Sequence, residues 1–312
     1  MAREPSGRAW RPGAMSIRAA APLLGFLILV LAACAAGTEP SASPGPSASP
    51  GDPGQPTDGP PPVTIDHPTG STDVVLRFEE GGGFVPLGYL VTQAPAFTLY
   101  GDGTVVFRDQ FGEGLPPGPI VRDVPFRTTV LSEEQVQALL EFALNDGALG
   151  IARESYENNL VADAPTAIFT INAGGLSKTV SVYALGLDSP GGEDGAARTA
   201  FAALAERLRA FDAGGDTAVY EPERYRAVLY DAFGGGAALA WPWPDIAPSD
   251  FVATNDPNVP ATGFPSRVLT RDEVAALDLE DIEGGVQGII LDGPDGSVYS
   301  LALRPLLPGE AA

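Results

Sequence analysis

Phe97-Thr-Leu-Tyr-Gly-Asp-Gly-Thr-Val-Val-Phe107 decides the fold class. Two β-rich runs flank Gly101-Asp-Gly103, a turn whose residues tolerate positive φ, so the segment reads as a β-hairpin. The same grammar recurs. Ala167–Asn172 and Lys178–Ala184 flank Ala173-Gly-Gly175, and Val286–Leu291 and Ser297–Leu303 flank Gly293-Pro-Asp-Gly296. Val74–Phe78 and Tyr225–Ala232 read as further strands. Strands joined by short turns pair antiparallel, so the pattern predicts an α+β fold built on hairpins, not a parallel βαβ array.

About three helices are expected to pack on this sheet. In Val130-Leu-Ser-Glu-Glu-Gln-Val136, Ser132 is the N-cap, Gln135 completes a capping box, and Leu131 and Val136 form a hydrophobic staple. Val136, Leu139, Leu140, Ala143 and Leu144 then recur at helical spacing, and Gly147 is the expected stop. Asp194 is the expected cap of a second helix carrying Phe201, Leu204, Ala205, Leu208 and Phe211 on one face. Val268-Leu-Thr-Arg-Asp-Glu-Val274 opens a third, with Thr270 and Glu273 in the cap positions. The first and third helix starts match at several positions and each precedes a hairpin. A duplicated helix-plus-hairpin unit is one reading; convergence on the residues that capping dictates is the other.

Outward from this body the composition changes. Ala35 to Thr72 is dominated by Pro, Ser, Gly, Thr and Asp, with too little apolar surface to offset the entropy of ordering it. Upstream, Arg18 precedes an apolar run that closes on Leu31-Ala-Ala-Cys34, which holds the only cysteine of 312 residues. The stretch from 19 to 33 falls short of the roughly 20 residues of a spanning helix. A positive start, a short apolar centre and small residues at the end read as a secretory leader. Met15 is a plausible true start for it. The expected organisation is a signal peptide over 1–33, a disordered tether over 34–72, and α+β regions over 73–213 and 217–312, in one core or two.

The Leu31-Ala-Ala-Cys34 box followed by a Pro/Ser tether resembles bacterial lipoproteins; the globular part resembles only uncharacterised secreted members of that class. The resemblance implies lipid attachment at Cys34 through a diacylglyceryl group and an N-terminal palmitate-type chain. Two or more chains suffice for stable attachment. It also implies a location on the extracytoplasmic side of the cell membrane.

Charge and residue types narrow the chemistry. With 18 basic and 40 acidic residues the net charge is −22, which repels nucleic acid and makes it a poor partner. The single histidine, His67, falls in the expected tether, where nothing would orient or bury it. A Ser-His-Asp or Cys-His centre is therefore not expected in the folded part, nor are metal sites that need histidine. Gly81–Gly83 and Gly234–Gly236 lack phosphate-loop spacing and read as turns. Asp292–Gly296 and Asn255–Asn258 are oxygen-rich but lack the spacing of a calcium loop. No cofactor and no metal site is expected.

Trp241-Pro-Trp243-Pro244, with Phe251 and Phe264 nearby, is the candidate ligand or partner site, because tryptophans offer large rigid contact faces. Tyr220, Tyr225 and Tyr230 are candidates to line the same region. The competing structural role for Trp241 and Trp243 is to cap the sheet core. Three functions remain open. The first is a membrane-anchored binding or interaction module for an envelope protein or wall polysaccharide. The second is a hydrolase of cell-wall glycan working through two carboxylates, and the third an inhibitor-like factor for a basic partner.

Overall fold

The Gly101–Gly103 turn forms as its residues require. The amide of Gly103 donates to Tyr100 O at 3.0 Å and that of Thr104 to Asp102 Oδ1 at 2.9 Å, and Gly103 sits at φ 84°. The structure is a computed structural model that describes residues 64–108, 118–187, 192, 194–232, 237–253 and 263–311. Cys34, the leader, most of the tether, Gly234–Gly236 and Asn255–Asn258 lie outside the described residues.

In the first half of the chain, β1 (Val74–Gly82), α1 (Leu87–Thr92), β2 (Phe97–Tyr100), β3 (Thr104–Arg108) and β4 (Val121–Arg122) come first. Then follow β5 (Phe126–Val130), α2 (Glu133–Leu144), β6 (Ser155–Tyr156), β7 (Pro165–Ala173), β8 (Leu176–Tyr183) and α3 (Gly195–Arg209). The second half holds β9 (Ala218–Val219), β10 (Arg224–Asp231), β11 (Leu239–Ala240) and β12 (Val252–Ala253). It ends with β13 (Pro265–Thr270), α4 (Arg271–Ala275), β14 (Val286–Asp292) and β15 (Val298–Pro305). Content is mixed α/β with mostly antiparallel sheet. Among the described residues four helices are present where about three were expected; α1 is the addition.

Two sheets result. One runs β6-β8-β7-β1-β2-β3-β5-β9, the other β11-β14-β15-β10-β13-β12 with β4 added on β14. Among the described residues all pairs are antiparallel except β6 on β8 and β11 on β14. The halves exchange edges: Val121 and Arg122 pair with Gln287 and Val286, and Ala218 and Val219 pair with Thr128 and Arg127. Residues 61–312 form one compact unit.

Strand alternation sorts the side chains into three layers. On the first sheet, Leu76, Phe78, Phe97, Leu99, Phe169 and Ile171 face α2 and α3, meeting Leu139, Leu140, Phe201 and Leu204 in one apolar core. On the second, Tyr225, Leu229, Leu269, Ile289, Leu301 and Leu303 meet Trp243, Ile246, Phe251, Val274 and Leu277. Between the sheets runs a seam: Tyr100, Val106 and Phe126 with Leu307, and Val91 of α1 with Val228 and Ala302. Strands β10 and β15 are therefore buried on both faces over most of their length. The seam is tight at Gly284, where a side chain would collide with the carbonyl oxygens of Asp123 and Val124.

Both capping boxes form. Ser132 Oγ accepts from Gln135 N at 3.3 Å while Ser132 N donates to Gln135 Oε1 at 2.9 Å. Thr270 Oγ1 accepts from Glu273 N at 3.2 Å while Thr270 N donates to Glu273 Oε2 at 2.7 Å. The expected cap of α3 differs. Asp194 holds the N-cap position but its side chain makes no cap bond; it takes the guanidinium of Arg153 at 2.6 Å. The likeness between the halves extends to an antiparallel hairpin after each capped helix, but the hairpins dock differently. The first hairpin strand, β7, docks on β1, whereas the second, β15, docks on β10.

The tether expected to extend to Thr72 ends earlier. Ile65 donates to Gln137 Oε1 at 2.7 Å and accepts from Gln137 Nε2 at 2.9 Å, and Asp66 O accepts from Gly174 N at 2.8 Å. Composition missed this docking because one glutamine supplies both partners that a strand would. His67 follows Asp66 onto the body: its side chain is 8% exposed, with Nε2 at 3.3 Å from Glu133 Oε1 and Nδ1 at 2.7 Å from Pro68 O. It is held and shielded, contrary to the expectation.

Candidate functional site

The tryptophans are placed by the second sheet's need for a cover. Among the described residues no long helix lies over its apolar face, and the Pro-rich loop 241–251 folds across it. Trp243 is 5% exposed and belongs to the core, the core-capping role weighed against binding; Trp241 is half-buried and packs against that core. Their rings meet edge to face at 5.2 Å and 84°. Each indole N–H finds a backbone acceptor at 2.7 Å, Trp241 on Ile246 O and Trp243 on Glu273 O. Burial thus leaves no indole donor unsatisfied. Phe264 packs on the seam side. Of the three tyrosines, Tyr225 lies in the core beneath the loop, and Tyr220 donates to Leu306 O at 3.0 Å in the seam. Burial pushes both phenols up to about 12.

Tyr230 does open on a groove. Beside the tryptophan loop lies a cavity of about 490 Å³ lined by Tyr230, Asp231, Ser249, Phe251, Asp295 and Tyr299, among others. Trp241 backs it, edge to face with Tyr299 at 6.1 Å. The Tyr299 hydroxyl donates to Asp295 Oδ2 at 2.7 Å, and Ser297 N donates to Asp295 Oδ1 at 3.0 Å. These bonds hold Asp295 below the ordinary carboxylate value, the tyrosine first, and the same bond raises Tyr299. The groove therefore presents aromatic surface next to an oriented, ionised acceptor. The turn Gly293–Gly296 supplies that acceptor; among the described residues no group of three His, Cys, Asp or Glu side chains is arranged to hold a metal.

The seam holds a second polar constellation, which the sequence reading missed. Arg304 is 2% exposed and Arg226 4%. Arg304 forks onto Glu310, with Nη1 to Oε2 at 2.8 Å and Nη2 to Oε1 at 2.9 Å, and Nε donates to Gln93 O at 2.6 Å. Burial alone would raise Glu310, but the hydrogen bonds and charge of Arg304 outweigh it and hold the carboxyl low. Arg226 Nη2 donates to Ala311 O at 2.9 Å. Further along the seam Arg108 lies 4.2 Å over the Phe126 ring and donates to Val124 O and Gly284 O. Burial lowers Arg108 and raises the nearby Asp123 and, on β1, Glu79.

No protein-family model matches the chain, and comparison with curated proteins and with solved structures likewise returns no match. Among the described residues no helix is long and apolar enough to cross a membrane.

Proposed function

We propose that this protein is a lipid-anchored extracytoplasmic binding module whose groove takes a hydroxyl-rich chain such as wall polysaccharide. The groove carries this reading: Tyr230 and Tyr299 offer apolar ring surface, while Asp231, Asp295 and Ser249 offer acceptors and a hydroxyl at its edge. Sugars present both C–H faces and hydroxyls, so they suit aromatic surface lined with fixed acceptors. The leader ending at Cys34 and the Pro/Ser stretch after it support attachment to the membrane and reach away from it.

Binding is favoured over hydrolysis of the same glycan by one observation. A general acid must stay protonated near neutral pH, yet Asp295 is pulled the opposite way. The carboxyls that burial raises, Glu79 and Asp123, belong to the seam. Co-sedimentation of the full chain with insoluble wall glycan tests the reading. Wild type should pellet with the glycan, Tyr299→Ala should stay in solution, and Tyr89→Ala on α1 should pellet. Equal pelleting by Tyr299→Ala would remove the groove from the proposal. Cys34→Ser should shift the protein from the membrane to the soluble extracytoplasmic fraction; unchanged membrane association would remove the lipid anchor.

A further inference from the structure

We infer that the groove beside the tryptophan loop selects a polysaccharide bearing free amino groups, taking a sugar ammonium between Asp231 and Asp295 against the Tyr299 ring. The inference rests on the glycan reading proposed above and names the class of glycan within it. Geometry is its first ground. Asp231 is the cross-strand partner of Tyr299, its charge reaches the phenol, and the Tyr299 hydroxyl donates to Asp295 Oδ2 at 2.7 Å. The two carboxylates therefore flank one phenol, on the wall of a cavity of about 490 Å³. Trp241 stands edge to face with both Tyr299 and Phe251, at 6.1 and 6.2 Å. Three rings thus adjoin the acidic pair, and aromatic walls recur where ammonium groups are recognised. The cavity falls within the range of about 300–1,000 Å³ that takes whole small ligands, so a sugar ring fits beside its amine.

The second ground is charge. Among the described residues that line the groove none is basic. No Lys, Arg or His falls between Arg226 and Arg267, or between Arg271 and Arg304, and these two stretches supply all of those lining residues. The arginines at their borders are committed elsewhere. Arg226 and Arg304 lie in the seam, Arg267 pairs with Glu273 at 3.7 Å, and Arg271 with Glu221 at 2.7 Å. Three other cavities place an arginine among their carboxylates: Arg271 with Glu221 and Glu223, Arg207 with Asp212, and Arg304 with Glu310. The groove leaves that place to a ligand. Hydrogen bonds from Tyr299 and Ser297 keep Asp295 ionised in mildly acidic solution, where sugar amines are protonated. An N-acetyl group at the same position carries neither the charge nor the ammonium donors.

The full chain in detergent is titrated calorimetrically at mildly acidic pH with oligomers of glucosamine and of N-acetylglucosamine, equal in length. An exposed ion pair and a cation on an exposed ring are each worth a few-fold, so the amine form should bind about tenfold tighter. That preference should shrink at high salt. Asp231→Asn combined with Asp295→Asn should bind both oligomers alike; both positions are exposed, and asparagine keeps an acceptor at each. Glu141→Gln, exposed on α2 over the other sheet, should keep the preference. Equal affinity of wild type for the two oligomers would overturn the inference and leave the glycan reading standing, whereas binding of neither would overturn both. A preference that survives in the double variant would overturn the inference as well. So would trilysine binding as tightly as the amine oligomer, since charge without sugar would then suffice.

Discussion

The two sheets solve the same problem with different materials. Each has one apolar face that must be kept from water. The first is covered by α2 and α3, of 12 and 15 residues, while the second is covered by the loop 241–251 and the five-residue α4. Both α2 and α4 begin with a complete capping box, so the cap does not set helix length. Beyond the cap, α2 buries Val136, Leu139, Leu140 and Ala143 in one stripe. α4 buries only Val274, and past its end the chain adds only Leu277 before Asp278 and Asp281 enter the left-handed region, at φ 51° and 56°. A helix lasts as long as it has a face to bury. Where it stops early, large rings held by prolines take over the covering.

The strongest way to break this equivalence is to truncate one cover on each side. Trp243→Ala should cost about 4 kcal/mol and Leu140→Ala about 3 kcal/mol, measured by denaturant unfolding of the full chain. A tryptophan loss below about 1 kcal/mol would make the loop a lid over the second sheet, not part of its core.

Glu310→Gln probes whether the seam binds the two layers together. It leaves Arg304 buried without its counter-charge and should cost about 3 kcal/mol at neutral pH. Because Glu310 is held below its ordinary 4.5, its contribution is present above that value and fades as pH falls through the lower folded value. The gap between wild type and variant should therefore close in acid. A gap independent of pH would assign the loss to packing alone.

Removing the caps sharpens the comparison of helices. Ser132→Ala and Thr270→Ala should each cost about 1 kcal/mol. Amide exchange should speed through the first turn of α2 in the former, but only around Thr270–Val274 in the latter. Exchange spreading beyond α4 into β14 after the Thr270 change would show that the short helix organises its sheet more than its length suggests. The smallest effect belongs to Tyr299→Phe. Losing the phenol donor should let the Asp295 carboxyl rise toward its ordinary 3.8, read by NMR titration. No change would mean that the Ser297 amide alone sets it.

The hairpins and both capping boxes were legible because each depends on residues adjacent in sequence. The seam was not. Arg77 on β1, Arg226 on β10 and Arg304 on β15 alternate with apolar neighbours, and period two reads the same whether the polar face meets water or another sheet. Helix α1 was invisible for a related reason: at six residues, and with no side-chain cap bond, it offers too short a period, and its place is fixed by packing on β14 and β15. The groove was half legible. The sequence pointed to the right loop and to Tyr230, but Asp295 and Tyr299 belong to a hairpin that begins some forty residues later, joined to it only in three dimensions. For Trp243 both roles stayed open in the sequence, because composition cannot tell a ring that meets a partner from a ring that replaces a helix.

The exchange of β4 and β9 has a consequence for how this chain behaves among copies of itself. An open sheet edge is a template for another strand. Val219 covers part of β5, and Arg122 covers part of β14, so each half carries the guard for the other's border. Neither half could be released alone without baring a ladder of unpaired amides, and a chain whose halves came apart would have its own sisters as the nearest replacements.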